Sequence, residues 1–229
     1  MRAVIFAACK GTRLRPLTYK TPKPMLKIKN RPILEYTIGA LPKEVDEVII
    51  VIGYLGHIIK NHFGRKYNGR KIRYVVQKEL NGTAGALWYC KKYLSGKFLV
   101  LAGDDLYHPK DLKKLVKQEL AILAHRVKNA SRFGVLKMNK NKNLKGFMEK
   151  PKNAKNKLVN TAVYTLDERI FKYDLIESKI HTGEFLLPQL ILKMAKDFPV
   201  KIVNAFMWHP IGYQKDIKKA EKIIHKFKK

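Results

Sequence analysis

Acidic residues are scarce in this chain. Against 48 lysines and arginines stand 18 aspartates and glutamates, a formal net charge of +30. Residues 137–157 hold eight lysines and a single acid, Glu149, and residues 215–229 are again lysine-dense. Such a surface attracts polyanions, and non-specific contact with nucleic acid is expected. The lysines are spread along the whole sequence without interleaved aromatics, so a dedicated nucleic-acid footprint is not indicated. Cysteine is scarcer still: Cys9 and Cys90 are the only two, with no C-x-x-C and no metal-ligand spacing. That excludes a disulfide framework and a zinc module, and both are read as reduced thiols. No apolar run approaches the ~20 residues needed to span a bilayer. The run at residues 3–8 is too short for a signal segment and is followed at once by Lys10, Arg13 and Arg15, so it is read as a buried strand and the protein as cytoplasmic, without a membrane partner. Internal repeats and Pro/Gly/Ser-rich linkers are absent. One domain covering residues 1–229 is expected.

What is present is an alternation of short β-rich runs with helical patterns, the mark of a largely parallel sheet covered by helices. Strands are expected at 4–8, 47–53, 72–77, 98–102, 132–138, 146–149, 158–166 and 200–205. The run EVIIVIG at 47–53 is almost wholly apolar and should be central, buried on both faces. Helices are expected at 33–40, 55–63, 83–94, 109–124, 168–173, 185–197 and 214–227; in the 109–124 segment Leu112, Leu115, Val116 and Leu120 share one face. The Lys- and Asn-rich stretch 139–156 reads as a loop that could cover a site.

The strongest chemical signal follows the first strand. Cys9-Lys10-Gly11-Thr12-Arg13-Leu14-Arg15-Pro16 sits where α/β folds place ligands, at the carboxyl end of a parallel strand. Gly11 permits a sharp turn, backbone N–H groups can form an anion nest, and Arg13 and Arg15 add forked donors. Lys23 and Lys27 flank the stiffened return segment at Pro22 and Pro24. The loop is neither a Walker motif nor G-x-G-x-x-G. A dinucleotide-dependent oxidoreductase is therefore disfavoured, all the more because no acidic ribose ligand follows a second strand at the expected distance.

The stretch from Ala7 to Thr18, followed by Pro22-Lys23-Pro24-Met25-Leu26, resembles the signature of the sugar-1-phosphate nucleotidyltransferases, among them the glucose-1-phosphate uridylyl- and thymidylyltransferases. The resemblance continues in order through the chain. It implies a three-layer, Rossmann-like α/β fold with a predominantly parallel mixed sheet. It further implies nucleotide contacts at Ala8, Cys9, Gly11 and Thr12, with Arg13 and Lys23 on the triphosphate. Gln77-Lys78-Glu79-Leu80-Asn81-Gly82-Thr83 resembles the base-recognition segment; Gln77 suits a pyrimidine edge and points to UTP or dTTP, Gly82 would let the base lie against backbone, and Thr83 joins the nucleotide contacts. Gly103-Asp104-Asp105 resembles the strand end that holds Mg²⁺, with Asp104 as ligand and Asp105 as a possible second carboxylate. Glu149, Lys150, Asn160 and Glu184 correspond to sugar-phosphate contacts, with Lys150 on the phosphate and Glu149 and Glu184 on the sugar.

Three positions depart from the pattern. Cys9 and Ala162 stand where the family has glycine. In Trp208-His209-Pro210-Ile211-Gly212, proline occupies the place of a second metal carboxylate, a role for which His209 and Asp216 are poor substitutes. The activity implied is Mg²⁺-dependent attack of a sugar 1-phosphate on the α-phosphorus of UTP or dTTP, without a covalent intermediate. The competing reading is a binding or regulatory module of the same fold that has lost turnover and holds polyanions. Some relatives carry a further C-terminal β-helix domain; no second, acyltransferase activity is expected from this sequence. The sugar is not specified, and homo-oligomer formation is left open.

Overall fold

The apolar runs that dominate the sequence become a shared sheet. The computed structural model describes residues 1–178, 180 and 182–227. Strand β1 (Arg2–Ala7) enters the basic loop; the small hairpin β2 (Lys27–Ile28) and β3 (Arg31–Pro32) precedes α1 (Ile33–Ala40) and β4 (Glu47–Ile52). Next come α2 (Gly56–Phe63), β5 (Lys66–Tyr67), β6 (Arg70–Val76), α3 (Gly82–Trp88), β7 (Lys97–Ala102), β8 (Leu106–Tyr107) and α4 (Pro109–Leu115). The remainder is β9 (Ala121–Arg126), β10 (Val135–Met138), β11 (Leu144–Met148), β12 (Leu158–Asp167), α5 (Leu187–Met194), β13 (Lys201–Asn204), β14 (Trp208–His209) and α6 (Gln214–Ile223).

The main sheet has ten strands, in the order β11-β10-β12-β7-β1-β4-β6-β5, with β9 pairing β12 and β13 off that path. Its centre, β7-β1-β4-β6, is parallel, and β12 joins β7 antiparallel. Side chains alternate across the sheet, as the two-residue strand period requires. Ala3, Ile5 and Ala7 of β1 pack in one cluster with Leu34 of α1, Ile59 of α2 and Leu112 of α4. Val4 packs in the opposite cluster with Ala84 and Leu87 of α3 and Leu190 of α5. Helices on both faces give the three layers expected of this composition. A third cluster brings Ala220, Ile224 and Phe227 against Leu14, Leu26 and Ile28, so α6 closes on the segment that follows β1.

The clearest departure from the sequence reading is at 109–124. The helix stops at Leu115, and Ala121–Arg126 is strand β9 inside the sheet. Ala121 to Ala124 are fully buried between β12 and β13, where a continuous apolar run is what two covered faces demand. The stretch 139–156 is not all loop, because β11 runs through it and pairs with β10. Segment 83–94 divides into α3 and a 3-10 turn at Lys91–Tyr93, and 168–173 is a 3-10 helix, Glu168–Lys172. Lys228 and Lys229 of the basic tail lie outside the described residues. No helix among the described residues is long and apolar enough to cross a membrane.

Candidate active site

From β1 the sheet extends to β4 on one side and to β7 on the other, so the strand order reverses at β1. A crevice opens at the carboxyl ends of strands around such a point. Two segments meet there. The loop after β1 turns at Gly11, whose φ of +61° is left-handed; a Cβ would stand 3.0 Å from Lys23 Cβ and 3.1 Å from Thr18 Cγ2. Thr18 Oγ1 donates to the Gly11 carbonyl at 2.9 Å. The second segment is Gly103-Asp104 after β7. A Cβ on Gly103 would stand 2.8 Å from Ile5 Cγ2, so only glycine lets the chain pass β1 and deliver Asp104 to the cleft.

The cleft has two chambers of about 550 and 280 Å³ that share the side chains of Arg13, Lys23, Thr83, Asp104, Tyr164 and Leu186. The larger chamber is lined by Ala8, Cys9, Gly11 and Thr12 of the loop and by Gln77 and Gly82. Asp105, Arg132, Glu149 and Asn160 line the smaller one. Glu184 lies in the wall of the larger chamber, not of the smaller one that holds Glu149 and Asn160. Lys150 is in neither wall; it is exposed at the rim with Nζ 3.1 Å from Glu149 Oε1.

Lys23 Nζ donates to Asp104 Oδ2 at 2.5 Å on the shared wall. Burial opposes the Lys23 charge, but Asp104 and Asp105 outweigh it and hold its pKa above the usual lysine value. Asp105 faces a different task. One oxygen accepts from Ile211 N at 2.9 Å and the other from Trp208 Nε1 at 3.1 Å. Burial first, then the charge of Asp104, pushes its carboxyl up to about 7. Both of its oxygens are committed to anchoring the 208–211 segment, in which Pro210 offers no side-chain acceptor. Among the described residues no group of three or more His, Cys, Asp or Glu side chains converges as a metal cage. The donor set fits a Mg²⁺ held mainly by phosphate oxygens, with Asp104 as the carboxylate that faces the cleft. Asp216 caps α6, accepting from Gly212 N and Tyr213 N at 3.0 and 2.9 Å, and is not arranged as a ligand.

Two departures from glycine have different local consequences. Cys9 is absent from the residues with positive φ, so its Cβ meets no left-handed strain. It is exposed along one side, yet desolvation by the surrounding protein, then Asp104, pushes its thiol up to about 11. Ala162 does adopt a left-handed φ of +58°. It forms part of a register break in β12 between Asn160 and Tyr164. Asn160 holds that bulge, accepting from Ala162 N at 3.0 Å and donating to Tyr164 Oη at 2.7 Å.

The segment 77–83 is held by the Gln77 side chain and by the backbone at Phe185. Gln77 Nε2 donates to Asn81 Oδ1 at 3.2 Å and to the Gly82 carbonyl at 3.3 Å. Gly82 abuts the chain at Phe185, where a Cβ would stand 2.6 Å from the carbonyl oxygen. Ala84 N donates to Phe185 O, and Phe185 N to Asn81 O, each at 2.8 Å. Thr83 Oγ1 accepts from Leu187 N at 2.9 Å, at the start of α5. The sequence reading missed Arg132, Tyr164 and Leu186. In the sequence Arg132 reads only as the first residue of a strand, and its link to Asp216 spans segments far apart in the chain.

Comparison with known proteins identifies the family. The nucleotidyl transferase family model matches residues 2–226. The bifunctional protein GlmU of Methanococcus aeolicus is 36% identical over 99% of this chain and 55% of its own length. The chain thus spans about half the length of the GlmU proteins it matches. The UTP–glucose-1-phosphate uridylyltransferase AglF of Haloferax volcanii is 31% identical over 96% of this chain and 95% of its own. A solved UDP-glucose pyrophosphorylase complexed with UDP-glucose superposes with a TM-score of 0.84 at 22% identity, covering 99% of each chain. At that identity the match speaks for the fold alone.

Proposed function

This chain belongs to the nucleotidyl transferase family, and from that premise we propose that it transfers a nucleotidyl group from UTP or dTTP to a sugar 1-phosphate, releasing pyrophosphate. The observation that carries this reading is the divided cleft, with the phosphate loop in one chamber, Glu149 and Asn160 in the other, and Arg13, Lys23 and Asp104 in the wall they share. The triphosphate lies along the Gly11–Arg13 loop with its base toward Gln77 and Gly82. The sugar hydroxyls meet Glu149 and Asn160. A 1-phosphate oxygen then forms a bond to the α-phosphorus as the bond to pyrophosphate breaks. Arg13 and Lys23 face the charge that develops on the leaving group, and positioning plus neutralisation lowers the barrier. Mg²⁺ would be held by Asp104 and phosphate oxygens, and would supply charge neutralisation at the α-phosphate.

The test is Mg²⁺-dependent pyrophosphate release, crossing UTP, dTTP, CTP, ATP and GTP with glucose-, N-acetylglucosamine- and mannose-1-phosphate. Release with UTP or dTTP that falls at least ~tenfold in Asp104→Ala supports the assignment. Pro210 and the sequestered Asp105 favour a second reading, a nucleotide-binding module without turnover. Folded protein that binds UTP but stays silent across the panel would establish that one instead.

A further inference from the structure

We propose that Arg132 is a phosphate-binding residue of the smaller chamber, gripping the 1-phosphate of the sugar substrate beside Arg13, while Asp216 and Tyr213 act as positioning residues for its guanidinium. The inference rests on the transfer reaction proposed above and assigns one end of its acceptor substrate. Three cationic side chains line the smaller chamber: Arg13, Lys23 and Arg132. Lys23 is bound to Asp104, and Arg13 is shared with the larger chamber and its loop. Arg132 belongs to the smaller chamber alone among these three.

Its guanidinium is fixed from several sides. Nη2 donates to Asp216 Oδ2 at 3.2 Å, and Cζ lies 4.4 Å from the Tyr213 ring centroid. Asp216 is itself locked by the two backbone N–H groups that it caps. The fit over Gly212 is tight: a Cβ there would stand 2.7 Å from Arg132 Nη2 and 3.8 Å from Arg13 Nη1. Gly212 is thus the point over which the two guanidiniums converge, and any larger residue would displace the Arg132 fork. Two forked cations brought to one place suit a phosphate, whose oxygens accept paired N–H bonds. Pro210, in the same wall, supplies no competing side-chain acceptor.

One donor of the guanidinium is left over. Arg132 Nε is buried without a hydrogen-bond partner among the described residues. A buried donor without an acceptor, in the wall of a chamber, is a group whose hydrogen bond a ligand can complete. With the phosphate at Arg132, the hydroxyls of the sugar reach Glu149 and Asn160 in the same chamber.

The experiment measures KM for the sugar 1-phosphate and for the nucleotide separately in Arg132→Met and Arg132→Lys, with thermal midpoints. It also titrates inorganic phosphate and glucose 1-phosphate into each protein by calorimetry. The expected result for Arg132→Met is a sugar-phosphate KM raised about tenfold or more, as loss of a charged hydrogen bond implies, with the nucleotide KM within about twofold even where the midpoint falls because Asp216 loses a partner. Arg132→Lys should recover only part, because an ammonium cannot fork. A sugar-phosphate KM within about twofold of the parent, or both KM values rising by the same factor, overturns the proposal. Absence of turnover in the parent protein sinks the transfer reading separately. The titrations then decide: phosphate binding lost in Arg132→Met supports the assignment, and equal binding overturns it.

Discussion

Gly82→Ala separates two explanations of a glycine in a recognition segment. If the glycine is there so that a base can lie on it, alanine should weaken nucleotide binding and leave the fold alone. The structure gives another reason. At φ +88° alanine is strained, and its Cβ would stand 2.6 Å from Phe185 O and 2.7 Å from Phe185 N. Left-handed strain costs about 1–2 kcal/mol. The clash also threatens the two 2.8 Å backbone bonds that tie residues 81 and 84 to Phe185. At about 0.5–1.5 kcal/mol each, their loss brings the total to roughly 2–5 kcal/mol. For a chain of this size that is a fall in midpoint of roughly 4–20 °C. The assay is thermal unfolding without nucleotide, followed by circular dichroism. A midpoint within about 2 °C of the parent, with only the nucleotide KM raised, would refute the argument.

Ala162→Gly should act in the opposite direction, since the left-handed Ala162 is relieved by glycine; a gain of about 1 kcal/mol is expected, read as a higher urea midpoint at unchanged slope. Asp216 is opposed by burial, but its bonds from Gly212, Arg132 and Tyr213 hold its pKa below the usual 3.8. Its contribution is therefore fully present above pH 3.8 and lost as pH falls through the lowered value. Asp216→Asn should be less stable at pH 7 and show a shallower loss of stability below about pH 4, in denaturant titrations across pH. Cys9, with its thiol raised to about 11, should react slowly with iodoacetamide at pH 8, where roughly one thiol in a thousand is ionised. Alkylation at the rate of free cysteine would contradict the structure.

The sequence made the frame legible where pattern and burial coincide. The 33–40 segment has the bounds of α1, and the run at 47–53 is a central strand because Val48 to Val51 have no accessible surface. The 109–124 reading failed because Leu112, Leu115, Val116 and Leu120 keep a helical spacing into the turn, and no glycine or proline marks the change to β9. Within the site, local motifs announced the loop at Gly11 and the strand end at Asp104, since each is set by its own few residues. Arg132 could not be read this way. Its place depends on Asp216, Tyr213 and Gly212, which reach it only through the folded topology. Gln77 and Thr83 are assigned to nucleotide contacts by resemblance alone, and their bonds to Asn81, Gly82 and Leu187 show them building the wall.

The packing of Ala220, Ile224 and Phe227 against Leu14 has a consequence for the order of events in synthesis. The loop that follows β1 is synthesised some two hundred residues before Ala220, Ile224 and Phe227, which supply one side of its seat. Until those arrive, Leu14 and Leu26 have no apolar cover from that side. Docking of the α6 segment is a long-range event, of the kind that comes late because chain closure precedes its reward. A nascent chain held short of residue 214 would thus present the sheet without a finished anion seat, and nucleotide binding would become a report on whether the final segment has docked.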